Sequence, residues 1–347
     1  MMPLLDVAQQ FAQSIENIGS LGNGYINDTY LVNTDTKPFV LQKINKHVFP
    51  NPGKIMTNLE LLNQHIGQIK DTQIPLKIPK LLKTEHQNNY FCDGQGDYWR
   101  ALSYIENTES LEIISNLAQA KQVGYALGQF HRLTYDLDSA SLHDTLPGFH
   151  ITPGYLRQYQ QLKNQTKLSE DTFCADFIAN HQHIVNDLET AKEQGLLVVR
   201  VIHGDPKLNN FLFDKTSFQI VSLVDLDTVK PGLIHYDISD CLRSCCHDTS
   251  TDEFNIKLCG ALLASYLAEM KAFFSSNDYL FLYPAIRLIP FELGLRFYCD
   301  YLDGNRYFKV TEPSENLRRA TEQFHLCESI LTQELEIKDL IKQLQFQ

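Results

Sequence analysis

The chain has 347 residues, 43% of them hydrophobic and 11% aromatic, with a formal net charge of −12. That length supports two sizeable cores, the apolar content excludes disorder, and the acidity speaks against nucleic acid or anionic membrane as partner, since both need clustered Lys and Arg. No apolar run is long enough to span a bilayer, Met1 to Asp6 hold no basic signal-peptide region, and eight scattered cysteines fit reduced thiols in a cytosol.

In chain order, residues 6 to 17 read as a short helix. Ser20 to Val32 reads as a hairpin with Gly22 and Gly24 in its first turn. Glycine there lets backbone N–H groups approach phosphates, although turns select glycine in any case. Phe39 to Ile44 is a third strand on which Leu41 and Lys43 share a face. Leu41 is placed to pack on a nucleotide base and Lys43 to reach its phosphates. Asn51 to Ile69 reads as a helix, with Ile55, Leu59, Leu62 and Ile66 at helical spacing. Glu60 on that helix is the candidate carboxylate to hold Lys43. Taken alone, both are solvated charges. Strands near Lys80–Leu82 and Tyr98–Ser103 complete a small α+β lobe.

After Glu106 the texture turns helical. Leu117 to Leu133 is a long amphipathic element, and further helices fall near 152–164, 171–194, 237–246, 253–274, 279–301 and 313–343. Residues 1–106 are thus expected to form a nucleotide-binding lobe and 107–347 a catalytic and acceptor-binding lobe, joined by a connector over 102–107. A cleft between lobes is where a ligand site is expected, with adenine bonded to the connector backbone near Ser103 and Ile105. The sequence does not separate ATP from GTP.

Leu196 to Ile202 reads as a buried strand entering the loop His203–Gly204–Asp205–Pro206–Lys207–Leu208–Asn209–Asn210. Phe211 to Phe213 leaves it, Asp214 to Ser217 turns, and Ile220 to Val224 returns to Asp225–Leu226–Asp227–Thr228. Asp205, Asn210 and Asp225 therefore stand at the open end of one hairpin. Each alone is a turn former or a strand-end cap. Together they are the groups that phosphoryl transfer needs: one carboxylate to orient and deprotonate a hydroxyl, and an amide and a carboxylate to hold Mg²⁺ against ATP phosphates. Lys207 either shields charge there or is a surface lysine. Cys241, Cys245, Cys246 and His247 do not read as a zinc site, because no second pair stands at a closing distance.

His203-x-Asp205-x-x-x-x-Asn210 with Val224–Asp225 resembles the catalytic and metal-binding loops of aminoglycoside phosphotransferases and choline kinases. Three further blocks narrow the resemblance: Gly22 to Tyr30, Asp225 to Gly232, and Arg296 to Gly304 with Tyr307–Phe308 are similar to N-acetylhexosamine 1-kinases. The match runs from about residue 19 to Asn316–Leu317. The resemblance implies a two-lobed protein-kinase-like fold of the α+β class. It implies an ATP- and Mg²⁺-dependent kinase acting on the anomeric hydroxyl of N-acetylglucosamine or N-acetylgalactosamine, with Asp205 as base, Asn210 and Asp225 on the metal, and Gly22, Gly24, Lys43 and Glu60 on the nucleotide side. Arg296 and Tyr307 match positions that contact the sugar. Otherwise Arg296 would pair with Glu292 or Asp300 one turn away. His203, Asp227 and Asp237 are expected to support the catalytic loop, Asp237 also reading as the N-cap of the following helix.

The chain departs from the hexosamine pattern in places. Tyr25 stands where a His usually reaches over the sugar, Ile238–Ser239 replaces Phe-Gly, and Ser314–Glu315 precedes Asn316–Leu317. The first departure touches the acceptor pocket. Kinases for choline, homoserine or an aminoglycoside, and a pseudokinase without turnover, are the rival readings.

Overall fold

The computed structural model describes residues 2–22, 26–69, 75–166, 168 and 170–346. The N-terminal lobe opens with α1 (Leu4–Ala8), β1 (Ile15–Ser20), β2 (Asp28–Thr34), β3 (Phe39–Lys43) and α2 (Pro52–Gln68). It continues with β4 (Leu81–Leu82), β5 (Phe91–Cys92) and β6 (Tyr98–Ser103). These strands form one antiparallel sheet in the order β1-β2-β3-β6-β4, with β5 also on β6. The helix expected over 6–17 is thus shortened to one turn, because Ile15 onward pairs with β2 instead.

Strand alternation decides what each face of this sheet does. Phe39, Leu41, Trp99 and Ala101 join Val32 and the α1 residues Val7 and Ala8 in a small outer core. The opposite face turns toward α2 and the rest of the chain, and Ile44 with the α2 residues Ile55, Met56, Leu59 and Leu62 belongs to the main core. Leu41 is fully buried in the outer cluster, so the base-packing role expected of it is not available.

Beyond the connector come β7 (Thr108–Ser110), α3 (Leu117–Leu133), α4 (Thr152–Gln165), α5 (Thr172–His181) and α6 (Asp187–Glu193). Next are β8 (Arg200–Ile202), β9 (Phe211–Asp214), β10 (Ile220–Leu223), β11 (Lys230–Gly232) and α7 (Ile234–Cys245). The chain ends in β12 (His247–Asp248), β13 (Glu253–Phe254), α8 (Ile256–Met270), α9 (Ser276–Leu280), α10 (Leu282–Leu302), α11 (Glu315–Thr332) and α12 (Glu334–Phe346). Asn116 caps α3 by accepting from Gln119 N–H, and Asn255 caps α8. A Cβ on Gly124 would lie 2.1 Å from the Leu262 carbonyl oxygen, so only glycine lets α3 and α8 approach this closely. The segment from β8 to β11 rides on this helical base as two short ribbons, β8 with β11 and β9 with β10. The strand expected over 196–202 is confined to its last three residues. Val198 and Val199 are exposed rather than buried, since they lead out of the α6 turn before β8 begins.

Candidate active site

Asp205 lies between β8 and the short 3₁₀ turn Leu208–Asn210 that enters β9. Gly204 makes the bend possible. Its φ is +86°, and a Cβ there would meet the Thr228 carbonyl oxygen at 2.6 Å. The two backbone N–H groups before Asp205 are bonded to one carboxylate: His203 N–H donates to Asp237 Oδ2 at 2.6 Å and Gly204 N–H to Oδ1 at 2.8 Å. His131 Nε2 lies 2.9 Å from the same Oδ2, and its Nδ1 is 2.8 Å from the Tyr266 hydroxyl. Asp237 is fully buried, so these donors must replace the water it has lost. It is not the N-cap of α7. Leu233 holds that position, and Asp237 sits within the first turn with its side chain directed at the loop.

His203 ties the two ends of the hairpin together. Its Nε2 donates to the Val224 carbonyl at 3.0 Å, which leaves Nδ1 to accept from Asp205 N–H at 3.3 Å. Burial lowers the His203 pKa despite Asp237 and Asp205 nearby, so the ring is neutral and its single N–H suffices. Asn210 Nδ2 donates to the Asp205 carbonyl at 2.7 Å, and its own carbonyl accepts Val224 N–H at 2.9 Å. Its Oδ1 receives no hydrogen bond among the described residues.

Asp225 follows β10 in the left-handed conformation, φ +65°. Among the described residues its carboxylate has no hydrogen-bond or ion-pair partner. Water reaches it, yet protein crowds around it. That desolvation, followed by the charge of Asp227, raises its carboxyl to about 6, against the pull of Lys207 and Arg100. Lys207 Nζ pairs with Asp205 Oδ2 at 2.7 Å. Burial would lower the Lys207 pKa, but Asp205 and Asp225 together raise it. Two carboxylates and one ammonium therefore share a small volume, with an amide oxygen alongside. Asn210 Oδ1 and Asp225 are hard oxygen donors with open coordination, a set that fits Mg²⁺ and not a thiophilic metal.

In the N-terminal lobe, Gly22 adopts φ +68° in the turn after β1. Gly24 and Tyr25 lie outside the described residues. The expected Lys43–Glu60 pair does not form. Lys43 shares the outer face with Leu41 and pairs with Asp97 at 2.5 Å, while Glu60 binds Lys83 at 2.6 Å and Asn89 at 2.6 Å. Facing inward instead are Gln42 and Arg100, opposite each other on β3 and β6. Arg100 Nε and Nη2 donate to Gln42 Oε1 at 3.0 and 2.7 Å, and Nη2 pairs with Asp227. Asp227 also accepts from Asn27 Nδ2 at 2.7 Å. Asp227 thus holds the two lobes together. In the connector, Ser103 N–H is bonded to the Lys80 carbonyl at 2.8 Å and Ile105 O accepts from Thr108 Oγ1 at 2.8 Å. The Ile105 N–H engages no acceptor among the described residues.

Arg296 lies on α10 among aromatic rings. Its guanidinium lies 4.8 Å from the ring centre of Phe149, 5.3 Å from Tyr155 and 5.6 Å from Phe308. It pairs with neither Glu292 nor Asp300. Asp300 instead accepts Tyr307 N–H at 2.8 Å, Phe308 N–H at 2.9 Å and Asn316 Nδ2 at 2.9 Å, fixing the loop that carries Tyr307. Glu292 accepts from His150 Nδ1 at 3.0 Å and Thr152 Oγ1 at 2.6 Å. His150 Nε2 lies 2.8 Å from the Gly204 carbonyl. Burial would lower the His150 pKa, but Glu292 outweighs it and the net shift is upward. Both ring nitrogens then donate, which suits two acceptor-only partners. Sequence reading missed His150, Gln42 and Arg100, and it met Glu292 only as a partner for Arg296 rather than for His150. A signal existed for Arg100, an ionic residue inside the apolar alternation of Tyr98 to Ser103. For His150 there was none, since its partners are 54 and 142 residues away.

A family model described as the phosphotransferase enzyme family matches residues 17–273. Among solved structures, the chain is similar to an aminoglycoside phosphotransferase from Alicyclobacillus acidocaldarius at 15% identity and a TM-score of 0.67, covering 99% of this chain and 97% of that one. It is similar to the aminoglycoside 2'-phosphotransferase-IIIa in its GDP complex at 17% identity and a TM-score of 0.62, covering 92% and 95%. An ethanolamine kinase from Plasmodium vivax aligns at 12% identity and a TM-score of 0.59, over 94% and 84%. At these identities the likeness shows the fold. No helix among the described residues is long and apolar enough to cross a membrane.

Proposed function

Since the chain belongs to the phosphotransferase enzyme family, we propose that it transfers the γ-phosphoryl group of ATP to a hydroxyl of a small oxygen-rich acceptor, the anomeric hydroxyl of an N-acetylhexosamine. In this reading residues 1–106 bind the nucleotide and 107–347 carry catalysis and the acceptor site. The observation that carries it is the Asp225 carboxylate, without a partner among the described residues, beside Asn210 Oδ1 and Asp205 at the neck of one hairpin. A carboxylate whose proton affinity is raised by crowding and by a second acid is one that gains most from a bound cation.

Asn210 and Asp225 are the residues to hold Mg²⁺, which supplies charge neutralisation on the phosphates when bound. Asp205 positions the acceptor O–H. As that oxygen bonds to the γ-phosphorus and the bond to ADP breaks, the hydroxyl proton passes to the Asp205 carboxylate. Lys207, bonded to Asp205, steadies it between charges. Asp237 and His203 keep the loop in the conformation that presents it.

Arg296 supports a neutral, hydroxyl-rich acceptor over a cationic one. Its guanidinium is caged by three rings and forms no ion pair among the described residues, although the charges of Glu292 and Asp205 act on it from further off, so its N–H groups remain for ligand oxygens. Tyr307, half exposed beside it, offers a ring face for a sugar. The match of Arg296 to Gly304 and Tyr307–Phe308 to the hexosamine kinases supports the same substrate class. An ADP-release assay over N-acetylhexosamines, other hexoses, choline, ethanolamine, homoserine and an aminoglycoside tests it. Turnover is expected with N-acetylglucosamine or N-acetylgalactosamine. Turnover confined to the amino alcohols would sink the sugar assignment and leave the kinase.

A further inference from the structure

We propose that Arg100, not a lysine of β3, is the cation of the N-terminal lobe that engages the nucleotide phosphates, with Asp227 as the carboxylate that orients it. The proposal rests on the kinase reading above. The first observation is where β3 directs its side chains. Lys43 points to the outer face, over the Trp99 ring at 5.8 Å and onto Asp97, which also binds Lys46 at 2.9 Å. Its charge is held at the surface of the outer core. On its opposite face β3 presents Val40 and Gln42, and Gln42, a neutral amide, meets Arg100.

The second observation is Arg100 itself. It is 1% exposed, and a guanidinium so buried needs its donors satisfied. Nε and Nη2 meet Gln42 and Asp227. Nη1 is buried and has no acceptor among the described residues. A donor left open on a fixed, charged group is what a phosphate oxygen completes.

Location supplies the third. Asp227, the ion-pair partner of Arg100, stands two residues after Asp225, so Arg100 borders the place where metal and phosphates would meet. Meanwhile α2 offers no substitute for the orienting acid, because Glu60, its one carboxylate, is held by Lys83 and Asn89. The ion pair that would join a strand lysine to a helix acid within one lobe is here an arginine joined to an acid of the other lobe. Nucleotide binding and lobe closure thereby share a residue.

The test is calorimetric titration of the full chain with Mg·AMP-PNP and, separately, with adenosine. Arg100→Gln should weaken Mg·AMP-PNP binding by roughly tenfold or more, the size of a lost charge-assisted hydrogen bond, and leave adenosine within about twofold. Arg100→Lys, which keeps the charge beside Asp227, should recover part of the loss. Lys43→Gln should leave both ligands unchanged within about twofold. Lys43 is partly exposed, so its variant folds and decides the matter even if Arg100→Gln does not. A selective loss of AMP-PNP affinity in Lys43→Gln overturns the proposal. So does an equal loss of AMP-PNP and adenosine affinity in Arg100→Gln, which would make Arg100 purely structural. If the wild type binds Mg·AMP-PNP but phosphorylates no acceptor, the kinase reading fails while the binding data still judge Arg100.

Discussion

Asp237→Asn probes how the Asp205 loop is held. The native carboxylate accepts from two consecutive backbone N–H groups at 2.6 and 2.8 Å, and from His131 at 2.9 Å, in a fully buried setting. The amide keeps the shape but has one oxygen, so it satisfies one backbone N–H and turns its own NH₂ against the other. Hydrogen bonds to a charged group are worth about 1.5–3 kcal/mol, and an orphaned buried donor costs about 1–3 kcal/mol. The variant should therefore lose about 3 kcal/mol of stability. Asp237→Ala, which orphans all three donors, should lose about 5 kcal/mol, near the upper range for breaking a buried charged pair. Urea unfolding of the three proteins, followed by fluorescence of the single Trp99 and by circular dichroism, reads the difference. The folded Asn variant should also turn over more slowly, because His203 and Gly204 fix the backbone that presents Asp205. A loss below about 1 kcal/mol for the alanine variant would refute the reasoning, as it would mean that water already serves these donors.

Gly204→Ala should be severely destabilising and inactive, since the left-handed φ and the 2.6 Å approach of the Thr228 carbonyl both exclude a Cβ; soluble yield and thermal midpoint check this. Arg296→Ala should lose roughly 1.5–3 kcal/mol in kcat/KM for the sugar while KM for ATP stays near wild type, measured by steady-state kinetics in both substrates. The pH dependence follows from His150. Its folded pKa is raised, so its contribution to stability is complete below the unfolded value and is lost as pH rises through the folded value. Urea midpoints from about pH 6 to about pH 9 should fall more steeply for the wild type than for His150→Gln, and parallel profiles would contradict the assignment.

The sequence showed the hairpin and its three polar groups because that chemistry is local. Asn210 stands five positions after Asp205, and turn residues with apolar strands fix them in place. It also placed α3 and the late helices, where long apolar stripes leave little choice. What it misassigned depended on which way a strand faces. Alternation alone sets Leu41 and Lys43 on one face without saying which, and Trp99 with α1 claims that face for the outer core, so a one-residue change of phase exchanges Lys43 for Gln42. Of the supporting network, the resemblance points to His203, Asp227 and Asp237, but their distant partners are not legible. Asp237 with His131 spans 106 positions and His150 with Glu292 spans 142, so only the packed helices bring them together.

The most direct test of phosphoryl transfer at Asp205 is phosphorus NMR of ATP and N-acetylglucosamine or N-acetylgalactosamine incubated with wild type or with Asp205→Asn, alongside each protein's affinity for Mg·AMP-PNP. The account predicts a sugar 1-phosphate and ADP with wild type. It predicts a kcat lowered by roughly 10²–10⁴-fold in the variant, with AMP-PNP affinity retained. Near-normal turnover by Asp205→Asn would contradict it.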